Sequence, residues 1–402
     1  MAAILNDCET GILIDSGFPC GSAGDITTTG PGIFRVCPKS EAVPAWFESA
    51  LTEHFGGAGV PREYAFHVRI RHMGIVPYRI SVRFDFTESC GKSYMGPPYW
   101  VSHRNIWRKV LPADTDFHEG SHVILSYCLE PGQSIFLANK PYVSPVDVEN
   151  AMADLSESNG AFSVRQIGVT DQGRPLQVLE SNPRPESIMV SATMQPAEPA
   201  ARPVLAVAHA LTDGSALSQR LLDRFQFCFL PMPNPDGAYH GRSVTNDRDE
   251  VPMFSFGHVI RGEHAPVEAK AIWDYCSLLR PTAFMEFHTH YQDNRSHKLN
   301  PMWHGWFSEH VQERVSMVDE ALLGLNQNWR VTKIAPEIPL HECGKFSNLT
   351  RKLGTMSYCY QIYTATEEAT CAHAVRAVNR LAIAMAGAKW ESDAPEPVVR
   401  EG

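Results

Sequence analysis

The chain has no CxxC pair. Its ten cysteines, at 8, 20, 37, 90, 128, 228, 276, 343, 359 and 371, are scattered, which excludes zinc-ribbon and thioredoxin-type folds. In a reducing compartment such residues act as small buried hydrophobes. None stands in a basic or helix-start setting of the kind that activates a thiol. No apolar run approaches the roughly 20 residues needed to span a bilayer. The opening MAAILNDCETGILIDSG lacks a basic region followed by a continuous apolar one, so a cytoplasmic location is expected. Positive charge is short as well: 35 Lys and Arg against 45 Asp and Glu give a formal charge of -10. Such a field repels phosphate backbones and anionic membranes, and neither nucleic acid nor membrane is expected as a partner. Internal repeats and low-complexity tracts are absent too.

What is present is the material of two ordinary domains: 402 residues, 44% hydrophobic and 20% charged. YAFHVRIRHM (64–73), YRISVRFDF (78–86) and HVILSYCL (122–129) alternate apolar and polar residues between Gly and Pro clusters. That pattern predicts antiparallel strands with one wet face, and an N-terminal β-sandwich over 1–155. A helix begins near Ser144 and Pro145, and the texture then changes. LQVLES (176–181), VLAVAH (204–209), FQFCFLPM (225–232) and TAFMEFH (282–288) read as strands in continuous apolar runs. Between and after them stand the helical SALSQRLLDRF, APVEAKAIWDYCSLL and SEHVQERVSMVDEALLGL. This predicts an α/β domain over 156–402, a mixed sheet flanked by helices. MQPAEPAARP (194–203) reads as a loop inside it.

His209 and His288 each close an expected strand. Carboxyl ends of strands line the ligand crevice of open α/β sheets, and two imidazoles there can share one metal. Between them FCFLPMPNPDGAYHGR (227–242) carries a strand into Asn-Pro-Asp-Gly, locally a tight turn.

A strand ending in NPDG between two histidine-bearing strands resembles the zinc-carboxypeptidase family. The likeness extends through PVEAKAIWDYCSLLRP and MEFHTHY. GPPYWVSHRNIW (96–107) and IFLANKPYVSPVDVENAMADL (135–155) are similar to the sandwich domain of its cytosolic carboxypeptidase branch. The resemblance implies one zinc ion per chain, with His209 as first ligand and His288 as second. It implies a glutamate base late in the chain, and IYTATEEAT (362–370) offers Glu367, with Glu368 beside it. The family's zinc-binding glutamate three residues after the first histidine is replaced here by Thr212. Asp213 is the nearest acid, and it serves equally well as a helix start in TDGS. The resemblance further implies cations for a substrate carboxylate and for an oxyanion. Arg242, Asn246 and Arg248 follow NPDG, and Arg295 follows the second histidine, although the family's Asn-Arg dipeptide is missing from TNDRDE.

The expected activity is zinc-dependent hydrolysis of an amide bond in a peptide or an amide-linked amino acid. Water held by His209, Asp213 and His288 would attack, with Glu367 as base and Arg242 on the oxyanion. Two alternatives stand beside it: a small-molecule amidohydrolase or deacylase, and a pseudoenzyme that keeps the fold as a binding module.

Overall fold

The computed structural model describes residues 2–54, 62–103, 106–292, 295–326, 328–334, 336 and 339–387. They form two compact units. The first comprises 1–145 with 195–199 and 236–250; the second comprises 146–194, 200–235 and 251 onward.

The first unit contains β1 (Ile4–Asp7), β2 (Ile12–Asp15), β3 (Asp25–Gly30), β4 (Ile33–Cys37), α1 (Ala45–His54), β5 (His67–His72), β6 (Tyr78–Asp85), β7 (Trp100–His103), β8 (Ile106–Lys109), β9 (Thr115–His118), β10 (His122–Leu129) and β11 (Ser134–Ala138). One sheet has the order β1-β2-β5-β11-β7-β8, the other β3-β4-β6-β10-β9. The alternation in β5, β6 and β10 sends Val68, Ile70, Ile80, Val82, Phe84, Val123 and Leu125 into one core shared by both sheets. Phe66 stacks on Phe84 at 4.6 Å within it. The sandwich matches the expectation except for one pair, β4 with β6, which is parallel. Ala197 and Val244, from the two later segments of this unit, bury their side chains in the same core.

The second unit opens with α2 (Pro145–Asn159) and continues through β12 (Phe162–Val169), β13 (Pro175–Ser181), β14 (Glu186–Ala192), α3 (Ala201–Ala210), α4 (Ala216–Arg224) and β15 (Phe225–Leu230). After α5 (Pro235–Tyr239) follow α6 (Phe256–Ile260), α7 (Val267–Leu279), β16 (Ala283–Thr289), β17 (Lys298–Pro301), α8 (Glu309–Leu323), β18 (Arg330–Val331), α9 (Pro339–Cys343), α10 (Lys345–Leu353), β19 (Met356–Ile362) and α11 (Glu367–Gly387). Its eight-stranded sheet runs β12-β13-β15-β14-β16-β19-β17-β18. The four central strands, β15, β14, β16 and β19, are mutually parallel, and every residue of β14, β15 and β16 is buried. Strands covered on both faces read as unbroken apolar runs. No described helix is long and apolar enough to cross a membrane.

One expected strand is a helix. VLAVAH lies in α3, and the central strand is ESIMVSA, upstream of it. Within α3 the buried residues are Ala201, Pro203, Val204, Val207 and Ala208, the three-and-four spacing of a helix face. Pro203 stands in the first turn, where the missing N–H costs nothing. NPDG is more than a turn, since Pro235 opens α5.

Candidate active site

Side chains of β16 alternate between the two faces of the sheet. Phe284, Glu286 and His288 point one way: Phe284 meets Phe346 of α10 at 5.9 Å, and Lys345 of α10 sets its ammonium on Glu286 Oε2. Phe287 points the other way, 5.7 Å from Tyr360, whose hydroxyl bonds His373 of α11. His288 therefore faces the layer of α10, close to the carboxyl end of the strand.

His288 Nε2 lies 3.1 Å from Glu286 Oε1, and the side chains are 3% and 0% exposed. Burial by itself would raise the Glu286 carboxyl; Lys345 and His288 outweigh it and hold the group at about 2. A carboxylate close to a buried histidine is a common companion of a metal-ligating imidazole. Glu286 stands inside the apolar run TAFMEFH, two residues before His288, which is a signal readable in the sequence. Lys345 left none, because only the fold brings α10 to β16.

Beyond β16 the chain turns through Tyr291 at φ 51°. The His290 N–H donates to Ile362 O at 3.1 Å, and its ring stacks on Tyr363 at 4.6 Å. Burial pushes the Tyr291 phenol well above its ordinary range. Arg295, half-buried, belongs to the segment leading to β17.

Glu367 does not sit on a strand. β19 stops at Ile362, and Glu367 is the first residue of α11, where the Ala369 N–H donates to Thr366 Oγ1 at 3.1 Å. Its carboxylate pairs with Arg202 Nη1 of α3 at 2.5 Å, with the two side chains 25% and 30% exposed. Glu368, its alternative, is exposed. Thus Glu367 opens a helix on the α11 layer, whereas His288 faces α10.

The expected ligand set of His209, Asp213 and His288 does not assemble. β14 and β15 are parallel, so the connection through α3 and α4 carries the chain from the carboxyl end of one strand back to the amino end of the next. His209 closes α3 toward that opposite edge and is exposed. Asp213 Oδ1 accepts the Ser215 N–H at 2.8 Å, and Ser215 Oγ accepts from Ser218 N at the start of α4. Ser215 is the N-cap of α4, and Asp213 forms an Asx turn just ahead of it. Among the described residues no three His, Cys, Asp or Glu side chains are grouped to hold a metal ion.

In the first unit, the segment after NPDG is tied to itself and to the sandwich. Arg242 Nη1 pairs with Asp249 at 2.8 Å, while Asn246 Oδ1 accepts the N–H groups of Arg248 and Glu250 at 3.0 and 3.1 Å. The buried Glu41 carboxylate accepts from the N–H groups of Ser243, Val244 and Thr245 at 2.8, 2.9 and 2.7 Å, and from the Thr245 hydroxyl at 2.6 Å. Lys140, fully buried, donates to Ala197 O at 2.5 Å, and Tyr64 OH donates to Glu198 at 3.1 Å. Burial lowers the Lys140 ammonium to about 8. Glu41 and Lys140 carry no local sequence signal, being more than 50 residues from what they hold.

Residues 148–252 match the family model described as zinc carboxypeptidase. Among solved structures, a metallo-carboxypeptidase from Burkholderia cenocepacia is 16% identical, with 93% of this chain and 99% of that one covered and a TM-score of 0.74. A metallo-carboxypeptidase from Pseudomonas aeruginosa, in complex with (2-guanidinoethylmercapto)succinic acid, is 14% identical, with 92% and 98% covered and a TM-score of 0.71. No curated protein matches the chain. The resemblance to zinc carboxypeptidases thus holds in the family-model match at 148–252, and the fold of this chain is that of the metallo-carboxypeptidases.

Proposed function

We propose that this protein is a metallocarboxypeptidase-like hydrolase that cleaves an amide bond in a peptide or an amide-linked amino acid. The observation that carries the proposal is the match of 148–252 to the zinc-carboxypeptidase model within a fold shared along nearly the whole chain. The Pseudomonas aeruginosa relative is in complex with a small dicarboxylate bearing a guanidinium, which supports an amino-acid-like ligand here.

The residues fit the family's metal only in part. His288, buried with its Nε2 3.1 Å from the Glu286 carboxylate, has the surroundings of one ligand. His209 and Asp213 do not join it, so the three-ligand set expected from the sequence does not fit zinc, and a metal centre has to draw its other ligands from elsewhere. When bound, zinc would supply Lewis-acid chemistry. Glu367 is proposed as the base, a role in which its carboxylate has to part from Arg202. Arg242, Asn246, Arg248 and Arg295 are proposed to serve substrate binding. The small-molecule deacylase remains a variant of the same proposal.

The binding-module alternative is favoured by one specific observation, the exposed helical position of His209. A single panel separates the two. Amine release from short peptides and N-acyl amino acids is measured for wild type, His288→Ala and Glu367→Gln, beside calorimetric binding of the same compounds. Release abolished by both substitutions is the expected result. Binding without release in the wild type would overturn hydrolysis and leave the module.

A further inference from the structure

Cys343, His258 and Glu263 form a second chemical cluster, all three in the second unit. Cys343 Sγ lies 3.7 Å from His258 Nε2, and His258 Nδ1 lies 2.8 Å from Glu263 Oε2. The carboxylate only accepts, so Nδ1 carries the hydrogen and Nε2 turns its lone pair to the thiol. Arg261 clamps Glu263 with Nε and Nη2, each at 2.9 Å, and the same Nη2 is 3.9 Å from the sulfur. Arg261 and His258 hold the Glu263 carboxyl below its ordinary range, which keeps it an acceptor.

The backbone is built for this approach. A Cβ on Gly257 of α6 would stand 2.6 Å from Glu342 O and 2.9 Å from Cys343 Cα. Glycine at 257 therefore lets α6 lie directly against the end of α9. Cys343 is the last residue of α9, two positions ahead of α10. A nucleophile, a base and a carboxylate that orients the base are in series, and the thiol is partly exposed.

We propose that Cys343 is a reactive thiol that undergoes exchange with a low-molecular-weight disulfide. The thiol proton passes to His258 Nε2. The thiolate attacks one sulfur of the disulfide, the incoming S–S bond breaks, a new S–S bond forms at Cys343, and the other half leaves as a thiolate that takes up the proton. Arg261 stabilises the anionic sulfur, and Glu263 holds the imidazole and steadies its charged form.

The test uses the full chain and glutathione disulfide, with peptide mass spectrometry to measure mixed-disulfide formation at each cysteine. Cys8, Cys90 and Cys128, which are exposed, act as references inside the same molecule. At neutral pH Cys343 is expected to react about tenfold faster than the references. His258→Gln is expected to remove that advantage. Glu263→Gln should slow the reaction less, and unchanged reference rates in both variants report that the fold is intact. Reaction at Cys343 no faster than at the references, or a rate indifferent to His258→Gln, overturns the proposal.

Discussion

Lys345 and Glu286 form a fully buried ion pair, with Lys345 Nζ on Glu286 Oε2 and both side chains at 0% exposure. Two charges taken out of water are costly unless each satisfies the other, and His288 Nε2 lies 3.1 Å from the second carboxylate oxygen. Removing either partner leaves an uncompensated charge in the interior, two residues from His288.

Lys345→Met should accordingly destabilise the protein by about 3–5 kcal/mol, measured by urea unfolding. The double variant Lys345→Met with Glu286→Gln should recover part of that loss, since no buried charge is then left alone. A single-variant effect below about 1 kcal/mol would mean that the pair does not hold β16 to α10.

Glu41 holds three consecutive N–H groups of the segment after NPDG. Glu41→Ala leaves those donors without their acceptor, and hydrogen exchange at residues 243–245 should accelerate by at least about tenfold. Exchange in β10, at the centre of the sandwich, should not change.

His67 gives the first unit an acid-sensitive point. Its Nδ1 bonds Cys20 O at 3.0 Å, and its ring lies among Phe18, Trp107, Phe136 and Tyr142. Burial depresses it to about 3. Between about pH 6.5 and 3 the unfolded chain binds a proton at this residue and the folded one does not, so stability falls as pH falls through that window. From pH 6.5 to 5 the loss from this one group is about 2 kcal/mol. His67→Asn should flatten the dependence of the urea midpoint on pH over this range. An unchanged slope would show that His67 is not its source.

The substitutions His209→Ala and Asp213→Ala should leave any amide hydrolysis at the wild-type rate. Asp213→Ala should lower the melting temperature slightly through the lost contact with Ser215. A large drop in rate from either would restore the ligand role expected from the sequence.

Much of the fold was legible because its periodicities are plain. β10 spans HVILSYCL as expected, and β5, β6, β13, β15 and β16 fall within a residue or three of their apolar runs. VLAVAH is helical in α3 where a strand is expected, because the run is nearly all apolar and such a run does not distinguish strand from helix. Pro203 and the spacing of Val204, Val207 and Ala208 were the available clues. That single error carried the metal assignment with it, since a histidine at a strand end and one at the end of a crossover helix lie at opposite edges of a sheet. His288 lies on the strand expected for it. Glu286 stood in view as a lone charge in an apolar run, while Lys345, Glu41 and the Cys343–His258–Glu263 series depend on contacts between residues far apart in the chain. No local pattern encodes those.

The most direct test is zinc stoichiometry, measured by elemental analysis after equilibration with limiting zinc, for wild type, His209→Ala, Asp213→Ala and His288→Ala. The expected result is about one zinc per chain in the wild type, kept in the first two variants and lost in His288→Ala. Zinc lost with His209 or Asp213, zinc undiminished without His288, or a wild type that takes up none would contradict it.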